Sequence, residues 1–131
     1  MYSARNLANQ YRDTGVSSAV LEANPHHLIT LMLAGARERA RLAIACLERG
    51  DIVRKAQAIS EASTIVAALD GALNLEAGGD IADGLQALYD YAQRRLLVAN
   101  AENDAAPLRE VDGLLGEIES AWRAIAPGDG A

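Results

Sequence analysis

The residues able to do chemistry are few, and their spacing suits none of the common mechanisms. His26 and His27 form one dipeptide, and Cys46 is the only cysteine. A nucleophilic site needs a histidine oriented by a carboxylate beside Ser or Cys. Cys46 lies about six turns along the helical pattern that His26 opens, so no such triad assembles. Di-iron bundles use Glu-x-x-His pairs on inward faces, and no Glu stands three residues before either histidine. Neither standard Gly-rich phosphate loop is present; Gly78-Gly79 falls between two helical patterns and predicts a turn. The sequence therefore predicts no enzyme, no cofactor and no metal. Cys46, among Ala and Leu, is expected as a small buried hydrophobe, and a single cysteine excludes an intrachain disulfide.

The charges point the same way. The net charge is −6. Residues 1–55 carry eight bases against five acids; residues 56–131 carry four against thirteen. An acidic second half is a poor footprint for nucleic acid. Arg37, Arg39 and Arg41 alternate along a helical pattern and are expected on solvated faces, as are Arg94 and Arg95. The first residues contain no apolar run, so no secretory signal is expected. The longest stretch without Asp, Glu, Lys or Arg, Ala23 to Ala36, is too short to cross a bilayer. No membrane insertion is expected, and the chain is expected in the cytoplasm.

These side chains must be positioned by helices. Of 131 residues, 50% are hydrophobic, 4% are aromatic, and Phe is absent. Such a core is aliphatic and rich in Ala, which favours helix over sheet. Asn24 and Pro25 cap and open a first helix that runs to Arg49, where Gly50 stops it. Asp51 caps a second, Ile52 to about Leu75. Asp80 caps a third, Ile81 to about Asn100, and Asn103 or Asp104 caps a fourth ending near Ala126. Short connections between long helices make antiparallel neighbours. The expected fold is all-α: an up-down-up-down four-helix bundle over 24–126, preceded by an arm over 1–23 with a possible short helix, and followed by a flexible tail over 127–131.

Each helix carries an apolar stripe with three-and-four spacing. The second reads Ile52, Ala56, Ile59, Ala62, Val66, Leu69, Leu73. The third reads Ile81, Leu85, Leu88, Ala92, Leu96, Ala99, and the fourth Leu108, Val111, Leu115, Ile118, Trp122, Ile125. The first, Leu28, Met32, Ala36, Ala40, Ala43, Leu47, is rich in Ala and implies close helix approach. A second stripe sits about 100° around the helices: Ala58, Ile65 and Ala72; Tyr91 and Val98; Leu114 and Ala121; with Ile29, Leu33 and Ile44 on the first. Either it is half-buried at the seams, or it is a groove for a partner, a second copy or the arm. Tyr89 is expected to border the core with its hydroxyl in water. Leu7 and Tyr11 in the arm have nothing local to cover them and are expected to dock on the bundle.

The order and spacing of several blocks make the chain resemble the flagellin-specific export chaperones of bacteria, the flagellar secretion chaperone family. The blocks are Met1-Tyr2 with Tyr11, Val20 to Met32 (V-L-E-A-N-P-H-H-L-I-T-L-M), Leu69 to Ile81 (L-D-G-A-L-N-L-E-A-G-G-D-I), Leu85 to Asn100, Val111 to Leu115 and Ala121-Trp122. One departure is Ala34, where the family usually has an aromatic, with the Asp missing before Gly35-Ala36. The resemblance implies a chaperone that binds the unfolded C-terminal segment of flagellin, prevents premature polymerisation and aids delivery to an export-gate component of the flagellar type III secretion apparatus. A helical co-chaperone is a possible further partner. Leu7, Tyr11, Ile65, Tyr91, Val98 and Leu114 are then the expected client contacts. The competing expectation is a structural or regulatory bundle that dimerises through the second stripe.

Overall fold

The computed structural model describes residues 25–73 and 75–125, without the side chains of 75–77. The expected arm, with Leu7 and Tyr11, and the expected tail lie outside the described residues. Four helices follow one another: α1 Pro25–Glu48, α2 Ile52–Gly71, α3 Leu75–Glu102 and α4 Ala105–Ala124. Among the described residues there is no strand. α1 packs on α2 and α4, and α3 packs on α2 and α4, while the diagonal pairs stay apart. The fold is an all-α antiparallel four-helix bundle.

The boundaries follow the local chemistry. Gly50 adopts φ +76° just past α1. The Asp51 N–H reaches back to Cys46 O at 2.8 Å, and the Gly50 N–H to Leu47 O at 3.1 Å. This is a Schellman stop, in which a left-handed residue lets the chain satisfy the last carbonyls. Asp51 Oδ1 accepts from the Arg54 N–H at 3.2 Å, and Asp104 Oδ1 from the Ala106 N–H at 3.0 Å. Both are N-caps that satisfy an orphan first-turn donor. α2 ends at Gly71, one turn before the expected Leu75. The expected break at Gly78-Gly79 lies inside α3, where Gly79 is non-helical (φ 53°, ψ −132°) and separates a short first turn from the main helix.

The core is aliphatic as composition requires. Leu28, Met32, Ala36, Ala40 and Ala43 of α1 are fully buried, as are Val66, Leu108 and Leu115. Cys46 is buried. Ala at three successive inward positions of α1 removes side-chain bulk and lets neighbouring backbones approach. The second stripe departs from expectation: Ala58, Ile65 and Leu33 are inside the core cluster. A core-facing helix surface is wider than one line of residues, so the bundle itself covers them. At the other extreme, Ile52, Ile81 and Ile125, expected inside, are exposed. Ile52 and Ile125 lie at helix ends, beyond the reach of the opposing helices.

Polar interactions fix the seams. Arg37, expected in solvent, donates to Asp112 at 2.8 Å and to Glu119 at 2.9 Å across the α1–α4 seam. Arg41 joins Asp112 at 3.1 Å, and Arg39 of α1 meets Glu61 of α2 at 2.8 Å. The guanidinium of Arg37 fits because Gly116 has no side chain; a Cβ there would lie 2.9 Å from Arg37 Cζ. The buried Lys55 ammonium donates to Asn100 O at 3.0 Å and to Asn100 Oδ1 at 2.7 Å, so α2 caps the C-terminus of α3. Ser63 and Gln93 exchange two hydrogen bonds across the same seam.

Two outcomes test this packing. Leu115→Ala, at a fully buried site, should cost about 2–5 kcal/mol, whereas Leu97→Ala, at a side chain 70% exposed, should cost no more than about 0.5 kcal/mol; urea midpoints decide. Burial opposes ionisation of Glu119, but its bonds to Arg123 and Arg37 outweigh this and hold its carboxyl below the usual value of 4.5. A lowered native pKa adds stability that is present above the unfolded value and lost as pH falls through the native one. Glu119→Gln should therefore be less stable than the parent at pH 7. The gap should close as pH drops below 4.5, followed by urea unfolding at each pH.

Candidate functional site

α3 is attached unevenly, and the site follows from that. Its fixed contacts with polar partners, Gln93, Arg95 and Asn100, lie in its second half. Its buried residues are Ala82, Tyr89, Ala92, Leu96 and Ala99. Together with half-buried Leu85 these form an unbroken alternation of three and four residues. The expected stripe places Ile81 and Leu88 inside instead. It requires two successive steps of four, at Leu88, Ala92 and Leu96, and such a step rotates a straight helix off the seam. Ile81 is 77% exposed and Leu88 37%. Ile81 and Leu88 therefore face outward, on the side of α4.

Between them and α4 lies an apolar groove of about 660 Å³. It opens at the end of the bundle where α1 and α3 begin and α2 and α4 end. Ile29 and Leu33 of α1, Leu69 of α2, and Ala72 and Leu73 just past the end of α2 form the base. Ile81, Leu85, Leu88 and Tyr89 form one wall. The other wall is the α4 edge from Leu114 through Glu117, Ile118, Ala121 and Trp122 to Ile125. Among the described residues Glu117 is the only charged one in the lining.

Two clusters frame the groove. At its open end the His26 and Trp122 rings stack, centroids 4.3 Å apart and 8° from parallel. The Trp122 indole N–H donates to His26 O at 2.9 Å, and His26 Nε2 lies 3.0 Å from Trp122 O. This clasp joins the start of α1 to the end of α4. One turn beyond Leu88 along the α3–α4 seam, the Tyr91 hydroxyl donates to Glu110 Oε2 at 2.6 Å, and Arg95 Nε donates to Glu110 Oε1 at 2.7 Å. The bonds from Tyr91 and Arg95 hold the Glu110 carboxyl below its ordinary pKa.

A second, polar cleft of about 470 Å³ lies between α2 and α3, lined by Asp70, Asp83, Asp90 and Gln93 among others. Burial, then the nearby Asp90, raises the pKa of Asp70. Tyr89 touches both cavities, and burial pushes its hydroxyl up to about 12, helped by Asp70. Among the described residues no cluster of His, Cys, Asp and Glu has the arrangement to hold a metal ion, and no helix is long and apolar enough to cross a membrane.

The expected contact residues are scattered by this geometry. Leu114 lines the groove. Tyr91, 38% exposed, stands at its far rim. Val98 is half-buried further along α3 and is not in the lining. Ile65 is only 2% exposed, inside the core, so the bundle offers none of its surface to a partner. Ile81, Leu85, Leu88 and Ile125 line the groove although the periodicity placed them in the core; the strict three-four alternation through Ala82 and Tyr89 was the signal for them.

A family model described as flagellar protein FliS matches residues 7–129. This chain belongs to the FliS family. It is 44% identical to the flagellar secretion chaperone FliS of Salmonella typhimurium, over 97% of this chain and 94% of that protein. It is 39% identical to the flagellar secretion chaperone FliSB of Pseudomonas aeruginosa, over 96% and 99%, and 32% identical to FliS of Bacillus subtilis, over 91% and 85%. Family membership brings the role of a flagellar export chaperone, which is not an enzymatic one, and sets aside the self-dimerising regulatory bundle. The apolar groove takes side chains from all four helices or their ends.

Trp122 is the only tryptophan, so its emission reports on the clasp. His26→Ala removes the stack and one hydrogen-bond partner, and should cost about 1–2 kcal/mol. It should also shift the native emission to the red as water reaches the indole. Urea unfolding followed by Trp fluorescence measures both.

Proposed function

We propose that this FliS family member holds the C-terminal disordered segment of flagellin as an amphipathic helix in the α3–α4 groove. The observation that carries this is the exposure of Ile81 and Leu88 on a wall whose other side is Leu114, Ala121 and Ile125. Such side chains leave water only when a third element lies over them, and helix-in-groove recognition uses apolar anchors at this spacing. Covering that segment keeps flagellin from polymerising in the cytoplasm, and the loaded bundle is then delivered to an export-gate component of the flagellar type III secretion apparatus. A helical co-chaperone is a further proposed partner. Leu114, with Tyr91 at the rim, serves the client directly. Leu7 and Tyr11, in the segment that precedes α1 in sequence, are proposed as further client contacts.

Calorimetric titration of a flagellin C-terminal peptide into the full chain tests this. Leu88→Asp replaces an aliphatic anchor worth about 1.5–3 kcal/mol of burial and should weaken binding more than about tenfold. Helix content should rise on binding to the parent and the free chain should be monomeric. Removal of residues 1–13 should weaken binding if the arm is a wall, and tighten it if the arm is a competitor; affinities agreeing within about 0.3 kcal/mol would make it a bystander. Unchanged affinity in Leu88→Asp would rule out the groove.

A further inference from the structure

The charge in the groove has no partner. α4 carries four acids: Glu110, Asp112, Glu117 and Glu119. Glu110 is held by Tyr91 and Arg95, Asp112 by Arg37 and Arg41, and Glu119 by Arg37 and Arg123. Glu117 alone has neither a hydrogen bond nor an ion pair among the described residues. Its helical neighbours cannot supply a counter-charge. The positions three and four residues away, where side chains meet on a helix, are Gly113, Leu114, Ser120 and Ala121. The facing helix is no better: the sequence holds no Lys or Arg between Lys55 and Arg94, while Asp80, Asp83 and Asp90 lie on α3.

An exposed carboxylate without a partner costs nothing in water. Beside an apolar groove its position changes when the groove is filled. A helix laid over Leu88 and Leu114 shields Glu117 from solvent, and a shielded carboxylate without a counter-charge is expensive. The occupant must bring the missing cation or leave that edge open. We infer that Glu117 is a specificity-determining residue of the client groove: the segment that binds there places a Lys or Arg beside its apolar face, against Glu117, and an acid at that position is rejected. This rests on the assignment of the groove to the client. The acidic surroundings of the α3 wall extend the preference for a basic segment beyond the single contact.

The test is a thermodynamic cycle on the full chain, with a synthetic flagellin C-terminal peptide as probe. Glu117→Gln should weaken binding about three- to tenfold at low salt and flatten its dependence on ionic strength. Replacing the peptide's Lys and Arg residues by Gln one at a time should reveal one position that loses the same factor against the parent and nothing against Glu117→Gln. Glu117→Lys should bind more weakly still, and recover with a peptide carrying Glu at that position. Parent affinity in Glu117→Gln alongside a large loss in Leu88→Asp overturns this inference and leaves the groove assignment standing. Unchanged affinity in both overturns both. Tighter binding by Glu117→Gln also overturns it.

Discussion

The structure depends on how α3 is held. α1, α2 and α4 share a continuous aliphatic core in which Leu28, Met32, Val66, Leu108 and Leu115 are wholly buried. α3 completes it with small residues, Ala82, Ala92 and Ala99, and two large ones, Tyr89 and Leu96. Small inward side chains bring little apolar area, so polar contacts must fix the helix, and those are grouped in its second half. Lys55 grips its last turn and Gln93 ties its middle to Ser63. The first half, starting at the Gly79 break, keeps Ile81 and Leu88 outside. The groove results from a helix anchored at one end.

The seams divide the charged residues into two kinds. On the α1–α4 seam Arg37 is shared by two carboxylates, and Gly116 makes the space. Such a partly shielded network sets the register of two helices more than it adds stability. On the α3–α4 seam Glu110 is saturated and Glu117 is not. The acids next to packed helices carry their counter-charges within the bundle, whereas the acid next to the groove leaves its own to another molecule. The His26–Trp122 clasp then fixes the α4 end of the groove to the N-terminal turn of α1.

By itself the sequence determined the four helices of the described residues, the caps at Asp51 and Asp104, the stop at Gly50 and the family. Asp51, Asp104 and Gly50 act through bonds to backbone groups a few residues away, so their effect is readable without tertiary information. Most of the core of α1, α2 and α4 was legible for the same reason: a single amphipathic face leaves one choice of inside. Only the tertiary structure decided the fate of α3 and of the arginines. The first half of α3 offers two apolar edges, Ile81-Leu85-Leu88 and Ala82-Leu85-Tyr89, and size alone favours the wrong one. The choice is made by the register continued from Ala92 and Leu96, and by neighbours far away in the chain. Arg37 reads as a surface charge until α4 brings Asp112 and Glu119 to it, and Ile65 as a flank until α1 and α3 close over it. A groove is a property of the space between helices, and that space is set by packing geometry that no local pattern encodes.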